Sequence, residues 1–183
     1  MKAASFTPRD AVEKFRALHE SGCFVLPNPW DKGTAIYLHR LGFKALATTS
    51  AGFAFARGKT DGKVPRDEML AHIREIAKVT PLPVNADFLN GYADEPESVA
   101  ENVKLCIDTG VAGLSIEDNT GRTDAPLYEK NLAIERTRAA RFRDRRIWSA
   151  RRAHRPMRSL AGRRCRSIAH CIGPACCVCR GRR

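Results

Sequence analysis

Acidic side chains stand at the ends of the predicted strands in this sequence. Asp87 follows the third predicted strand, Glu117 and Asp118 follow the fourth, and Asp61 lies in the loop after the second. Because the carboxyl ends of neighbouring parallel strands meet at one edge of a sheet, we expect Asp87 and Glu117 to lie side by side. Carboxylates held this close repel each other unless a cation or a shared proton lies between them.

The same acidic residues have the oxygen ligands that suit a magnesium ion. Mg²⁺ takes few carboxylates and keeps several of its waters, and when bound it polarises a carbonyl and stabilises an enolate. Asp61, Asp87 and Glu117 are therefore candidates for a Mg²⁺ site, and with it a catalytic centre, at this edge of the sheet. The alternative is that each acid only caps the helix after it, and this alternative stays open for all three.

A short segment after the second predicted strand could bind a substrate carboxylate. Ser50, Ala51 and Gly52 offer backbone N–H groups beside small side chains, and such groups bind anions. The alternative is an ordinary turn from strand to loop.

Other residues with reactive or aromatic side chains receive structural interpretations. We expect Trp30 to be a buried anchor, Cys23 and Cys106 to be buried apolar residues, and His19, His39 and His72 to lie at surface positions of helices.

Alternating helix-like and strand-like segments must position these residues. Apolar segments bounded by turn residues predict strands at 23–26, 45–48, 82–86 and 111–116. Periodicity and end signals predict helices at 7–20, 33–41, 66–79, 96–109 and 132–140, with a loop at 50–63. This order predicts an α/β fold with a parallel sheet, either doubly wound or a (β/α)₈ barrel. No Gly-x-Gly-x-x-Gly follows a strand, so a dinucleotide site is unsupported, and polar residues after the strands favour the barrel.

Charge divides the chain into two regions. Residues 1–140 carry 18 Lys and Arg against 19 Asp and Glu, whereas residues 141–183 carry 14 Arg, no Lys and one acid. Five of the seven cysteines also lie in the second region, and the two in the first fit a reducing compartment.

No apolar run approaches the roughly 18–20 residues that span a bilayer, and the N-terminus lacks an apolar signal segment. We expect a cytoplasmic protein without a membrane partner.

Four motifs, in order and spacing, resemble the isocitrate lyase/phosphoenolpyruvate mutase family. They are Asn-Pro-Trp-Asp at 28–31, Ala-Thr-Thr-Ser-Ala-Gly-Phe at 47–53, Val-Asn-Ala-Asp at 84–87 with Gly-Tyr at 91–92, and Gly-Leu-Ser-Ile-Glu-Asp at 113–118. The resemblance covers about residues 6–140. It implies a (β/α)₈ barrel, of which residues 1–140 would supply an N-terminal helix and the first half, about four β/α units.

The resemblance also implies an activity and a site. The family acts on C–C or P–C bonds of small 2-oxo acids or phosphonates through an enolate, with Mg²⁺, and as homo-oligomers. By position, Asp87 resembles the metal-binding carboxylate, while Asp61 and Glu117 resemble acidic neighbours that act through metal-bound waters. Ser50, Ala51 and Gly52 resemble the loop that holds the substrate carboxylate.

Two departures narrow the expected reaction. Asn85 stands where many relatives have Asp, which weakens one potential ligand. No Lys-x-Cys-Gly-His segment follows Asp118, where true lyases of the family carry their catalytic cysteine. The resemblance therefore points to the branch of oxaloacetate decarboxylases and of phosphonopyruvate- or carboxyphosphonoenolpyruvate-type enzymes, where a 2-oxo acid loses CO₂ without a cysteine acid.

The region 141–183 does not fit the family. Its arginine-rich sequence has neither strand nor helix periodicity and lacks the family's fifth strand with its substrate-binding arginine. We expect an irregular, disordered tail read from a shifted frame near residue 140, which leaves an incomplete barrel with open edges, marginal stability and impaired activity. The alternative is an inactive fragment with a genuine tail that binds nucleic acid or zinc.

Overall fold

The computed structural model describes residues 8–143 and 169–172. Six helices and four strands follow one another along the chain as α1 Pro8–Leu18, α2 Lys32–Arg40, β1 Leu46–Ala47, α3 Ser50–Ala56, α4 Arg66–Val79, β2 Val84–Asp87, α5 Pro96–Ile107, β3 Gly113–Glu117, α6 Lys130–Arg143 and β4 Ala169–Ile172. The sheet order is β1-β2-β3-β4. No helix within these residues is long and apolar enough to cross a membrane.

The predicted parallel sheet is confirmed for the first three strands. Leu46 pairs with Val84, and Asp87 pairs with Ser115, in parallel register. Helix α4 has the predicted bounds, and Asp31 caps α2 through a 2.7 Å hydrogen bond from the Thr34 N–H. The α/β class is therefore confirmed, whereas closure into half of a (β/α)₈ barrel stays a prediction.

The first predicted strand, at 23–26, is wrong. This segment runs beside β1, and the Ala47 N–H donates to the Pro27 carbonyl at 3.1 Å. Pro27 and Pro29 have no N–H to donate, so a ladder cannot continue here. The Asn28 side-chain amide instead donates to the Ala47 carbonyl at 3.1 Å.

The predicted loop at 50–63 is also wrong in its first half, which forms α3. Thr49 caps this helix by accepting a 3.1 Å hydrogen bond from the Gly52 N–H. Gly58 follows its end with a φ of +66°, and the Lys59 N–H returns to the Ala54 carbonyl at 2.8 Å. Glycine at the left-handed position ends the helix without strain, whereas Gly52 lies inside the helix.

Two apolar cores lie on opposite faces of the sheet. Val84 and Ala86 of β2 belong to the main core, which the helices α4 and α5 cover. Side chains alternate along a strand, so Asn85 and Asp87 point to the other face. There Phe15 of α1 packs at the start of β3, in the smaller core.

Gly113 marks the point where α1 approaches this second face most closely. A Cβ on Gly113 would lie 3.0 Å from the Phe15 ring and 3.1 Å from the Asn85 side-chain oxygen. The absence of a side chain therefore allows α1 to close the amino end of this face. The carboxyl end carries the polar residues of the candidate site.

Four residues of the arginine-rich tail are part of the sheet. Ala169–Ile172 form β4, which pairs antiparallel with β3, Glu117 opposite Ala169 and Leu114 opposite Ile172. The backbone groups of an edge strand pair readily with any extended segment, so an irregular tail was the wrong expectation for these four residues. The rest of the predicted disorder, beyond residue 143, lies outside the described residues, and the division at residue 140 stays a prediction.

A candidate active site at the carboxyl ends of the strands

Asp87 is held by two hydrogen bonds, one to its carboxylate and one from its main-chain N–H. Its carboxylate accepts a 2.8 Å hydrogen bond from the Ser50 N–H at the start of α3. Its own N–H donates to the buried Thr48 hydroxyl at 2.9 Å. The carboxylate is therefore held in one place by the element that follows β1, although it stands at the end of β2.

The loop between β2 and α5 begins after Asp87 and is hydrogen-bonded to the strand that ends at Glu117. The Glu117 N–H donates to the Leu89 carbonyl at 2.7 Å, and the Phe88 N–H donates to the Ser115 carbonyl at 3.1 Å. Leu89 has a φ of +46° and Tyr92 a φ of +58°. Residues other than glycine rarely adopt this left-handed backbone conformation, and it persists only where surrounding contacts enforce it. Strain of this kind is common at functional sites.

Glu117 is half-buried in the field of two other acids. Burial raises the pKa of its carboxyl group, and the negative charges of Asp87 and Asp61 raise that pKa further. The three predicted acids therefore lie within electrostatic reach of one another. Their roles as metal ligands stay a prediction.

The three acids do not form a ready metal-binding group. Among residues 8–143 and 169–172, no three His, Cys, Asp or Glu side chains are close enough to hold an ion together. Asp61 is exposed, and its carboxylate accepts a 2.9 Å hydrogen bond from the Gly62 N–H of its own turn. We call Asp87 and Glu117, which end the neighbouring strands β2 and β3, the central pair, and Asp61 lies in the loop between α3 and α4.

The predicted carboxylate loop is the first turn of α3. The Ser50 N–H already binds Asp87, and the Gly52 N–H binds the Thr49 hydroxyl. A Cβ on Gly52 would lie 2.6 Å from the Thr49 methyl and 3.4 Å from Trp30 Cβ, so only glycine fits. Substrate binding by Ser50, Ala51 and Gly52 stays a prediction. In the structure the N–H of Ser50 binds the Asp87 carboxylate.

Sequence reasoning missed two polar residues beside this cluster. Asn85, noted only as a substitution, donates from its side chain to the Ser115 hydroxyl at 2.9 Å. The Tyr92 hydroxyl is buried without a hydrogen-bond partner in the described part of the chain. Burial raises the pKa of Tyr92, and the charges of Asp87 and Asp61 add to that effect. The signal for Tyr92 in the sequence is the Gly-Tyr pair at 91–92, a family motif to which no role was assigned.

Three minor interpretations are corrected by the structure. His72 is buried rather than on the surface, because its ring stacks on Phe53 of α3 at 3.8 Å between centroids. Trp30 is 47% exposed rather than a buried anchor, and Cys23 is exposed. Cys106 is buried in the main core, as predicted.

Comparison with known proteins finds relatives that match the described region. The sequence profile of the phosphoenolpyruvate phosphomutase family matches residues 15–147. The 2-methylisocitrate lyase of Escherichia coli K12 is 33% identical over 114 residues, which cover 58% of this chain and 38% of that protein.

Solved structures give the same result. A protein from Burkholderia cenocepacia J2315 that is assigned as a lyase/mutase has 48% identity and a TM-score of 0.73, over 75% of this chain and 50% of that chain. Oxaloacetate acetylhydrolase in complex with oxalate has 31% identity and a TM-score of 0.70, over 78% of this chain and 51% of that chain. The chain thus spans about half the length of these solved relatives.

The four motifs, the parallel sheet and the acidic strand ends occur together in one region. The profile match covers most of the chain and confirms the resemblance seen in the motifs. The chain belongs to the isocitrate lyase/phosphoenolpyruvate mutase family.

Proposed function

We propose that this protein is a Mg²⁺-dependent enzyme of lyase or mutase type that acts on a C–C or P–C bond of a small 2-oxo acid. The observation that carries the proposal is the fixed pair at the strand ends. Asp87 is held by the Ser50 N–H, and the backbone of Glu117 is tied to the same loop through Leu89.

The donor set fits a magnesium ion. Asp87, Glu117 and Asp61 offer only carboxylate oxygens, which are the ligands that Mg²⁺ prefers. Burial raises the pKa of Glu117, and the repulsion from Asp87 and Asp61 that raises it further is what a cation would relieve. Because Mg²⁺ keeps several waters, the three side chains need not converge on it directly. Bound Mg²⁺ would polarise the substrate carbonyl and stabilise developing negative charge.

Oxaloacetate is the substrate that we propose to test first. Its C3–C4 bond would break, CO₂ would leave, and the electron pair would remain as the enolate of pyruvate until a proton is taken up at C3. Relatives include a 2-methylisocitrate lyase and an oxaloacetate acetylhydrolase. This chain lacks the Lys-x-Cys-Gly-His segment, so decarboxylation, which needs no cysteine acid, fits its residues better than lyase cleavage. A phosphonate analogue of the 2-oxo acid is the second substrate to test.

Activity of this chain is itself part of the proposal, because the chain spans only about half of its solved relatives. Assembly with further copies, as the family resemblance implies, is proposed with it. The experiment is a pyruvate-release assay on the full chain with oxaloacetate, with and without Mg²⁺, against a protein-free blank at the same Mg²⁺ concentration. We expect protein-dependent release that requires Mg²⁺.

The matched variants are Asp87→Asn and Asp108→Asn. Asp87→Asn keeps an oxygen that can accept the Ser50 N–H but removes the charge, and loss of a catalytic group of this kind costs about 100-fold or more in rate. Asp108 is exposed after α5, so Asp108→Asn should keep full activity. Equal rates in the two variants would reject the site.

A second candidate function rests on the charge of the tail. The 14 arginines of residues 141–183 give this region a strong positive charge that favours nucleic-acid phosphates. Fluorescence anisotropy with a DNA duplex would show affinity that falls steeply between about 50 and 200 mM salt. Nucleic-acid binding together with no Mg²⁺-dependent pyruvate release would favour an inactive fragment with a binding tail. The zinc alternative would appear as stoichiometric Zn²⁺ in the purified protein.

A further inference from the structure

Arg136 of α6 is a buried cation that binds the loop after Asp87. The residue is only 1% exposed. Its guanidinium donates hydrogen bonds to the main-chain carbonyls of Asn90, Ala93 and Asp94. Burying a charge is costly unless hydrogen bonds compensate it, so the three carbonyls and the cation stabilise one loop conformation together.

Tyr128 supports the guanidinium from one side. The Arg136 guanidinium carbon lies 3.8 Å from the centre of the Tyr128 ring, which is within the range of a cation–π interaction. The Tyr128 hydroxyl accepts a 2.9 Å hydrogen bond from the Asn90 side chain and donates to the Asp94 carboxylate. The aromatic ring and its hydroxyl therefore bind the cation and the same loop at once.

The loop held in this way is the one that connects Asp87 with Glu117. Leu89 and Tyr92 keep their left-handed backbone conformations within it. The Leu89 carbonyl accepts the Glu117 N–H at 2.7 Å, and the Leu89 N–H faces the Asp87 carboxylate at 3.5 Å. A displacement of this loop would move both acids of the central pair.

We propose that Arg136 is a positioning residue that fixes Asp87 and Glu117 through the loop between β2 and α5. It would act through backbone carbonyls and would not touch a substrate. Arginine suits this task, because its planar fork binds several acceptors and also stacks on an aromatic ring, whereas lysine is a single point charge. The catalytic use of the two acids rests on the proposed function, but their positioning by Arg136 does not.

The test is site-resolved amide hydrogen exchange by NMR on the full chain, comparing wild type, Arg136→Lys and Arg138→Ala. Two reporter amides lie at the candidate site: Glu117, which donates to Leu89, and Ser50, which donates to Asp87. Ala112, which donates to Val84 at 2.8 Å at the amino end of the same strands, is the control amide. Arg138 is exposed on the same helix and serves as the control variant.

We expect Arg136→Lys to accelerate exchange at Ser50 and Glu117 by about tenfold or more, because hydrogen bonds from a charged donor are worth at least that factor. Ala112 should be unchanged, and Arg138→Ala should match wild type at all three amides. Unchanged exchange at Ser50 and Glu117 would overturn the inference. Equal acceleration at Ala112 would also overturn it, since that result describes a general loss of stability.

If Arg136→Lys fails to fold, the same exchange measurement on Tyr128→Phe tests the proposal. This variant keeps the ring beneath the guanidinium but removes the hydroxyl that joins Asn90 and Asp94. Faster exchange at Ser50 and Glu117, with Ala112 unchanged, would support the proposal. Wild-type exchange at both reporter amides would overturn it.

A metal-binding measurement separates this inference from the proposed function. Mn²⁺ serves as the probe, and its binding is followed by electron paramagnetic resonance. Residues that orient metal ligands typically contribute about 10- to 100-fold to affinity, so Arg136→Lys should bind Mn²⁺ at least about tenfold more weakly. Wild-type affinity in that variant, together with unchanged exchange at Ser50 and Glu117, would overturn the inference. A wild-type chain that binds no Mn²⁺ would reject the proposed function, and the exchange data would still decide the role of Arg136.

Discussion

The main-chain N–H of Ser50 donates a 2.8 Å hydrogen bond to the side-chain carboxylate of Asp87, across 37 positions of sequence. The first turn of α3 and the end of β2 are thereby joined at the centre of the candidate site. The same contact gives Asp87 a structural partner in addition to its proposed role as a metal ligand. Changes at either element should therefore affect both stability and metal binding.

Thr48→Val should destabilise the protein and weaken the site. The Thr48 hydroxyl accepts the Asp87 N–H at 2.9 Å and is buried, so valine would leave that N–H without its partner. An unsatisfied buried donor costs about 1–3 kcal/mol. Urea unfolding measures this change, and the exposed Thr123→Val is the matched control, expected within about 0.5 kcal/mol of wild type. A Thr48 variant as stable as the control would show that this hydrogen bond contributes little.

Gly52→Ala and Gly33→Ala should change stability in opposite directions. Alanine at Gly52 would place a methyl group 2.6 Å from the Thr49 methyl, whereas at Gly33 the nearest atom is an Asp31 oxygen at 3.5 Å. Both positions are helical, so alanine would otherwise gain up to about 1 kcal/mol. We expect Gly33→Ala to be stabilising and Gly52→Ala to be destabilising by about 1–3 kcal/mol. Thermal unfolding of the two variants decides this, and stabilisation by both would refute the steric argument.

Acid should destabilise the protein through His72. Burial lowers the pKa of His72 to about 4 from an ordinary value of 6.5, although the charges of Glu75 and Asp31 act in the opposite direction. Between these two values the unfolded chain binds a proton that the folded chain does not, so stability falls as pH drops from 6.5 towards 4. Urea midpoints measured between these pH values should fall less in His72→Gln than in wild type.

His39→Gln is the control for this pH dependence. His39 is a partly buried histidine near the end of α2 and takes no part in the ring contact between His72 and Phe53. Comparing the slope of stability against pH in this variant, in His72→Gln and in wild type isolates the contribution of His72. If both variants showed the wild-type slope, His72 would not be the group responsible.

Glu117→Gln should raise the melting temperature while weakening metal binding. The pKa of Glu117 is raised by burial and by Asp87 and Asp61, which means that its negative charge is unfavourable in the folded protein without a cation. Removing the charge should therefore stabilise the metal-free protein at neutral pH by a few degrees. It should also lower Mn²⁺ affinity, because a proposed ligand is lost. The exposed Glu135→Gln of α6 should change neither quantity.

The local signals in this sequence predict most elements for identifiable reasons. The apolar stripe of Met69, Ile73 and Ile76 predicts α4, and these residues are buried in the structure. Asp31 predicts the start of α2 as its N-cap, and in the structure Thr34 completes a capping box with it. The failures occur where one signal opposes another. At 23–26 an apolar segment ends in prolines, and at 50–56 a glycine lies inside a helix that Thr49 caps.

The sequence predicts that Asp87 and Glu117 lie at the ends of their strands but not which groups they contact, and their role in a site stays a prediction. Strand ends followed by Asp87 and Glu117 indicate one edge of a parallel sheet, and in the structure Asp87 pairs with Ser115, two residues before Glu117 at the end of β3. That the Ser50 N–H binds Asp87, or that buried Arg136 binds the loop beside it, has no local sequence signal. Arg136 is one arginine among several in a helix of low amphipathic character, and the residues it contacts lie 42 to 46 positions away.

The sequence by itself determined the family, the order of most elements and the acids at the strand ends, because periodicity, capping residues and motifs depend on neighbouring residues. Only the tertiary structure decided which backbone groups satisfy Asp87, which side chains are buried beside it, and that Ala169–Ile172 pair with β3. These contacts join residues far apart in the chain. Such long-range contacts form because groups become buried and each buried polar group needs a hydrogen-bond partner. Both conditions arise only once the chain is folded.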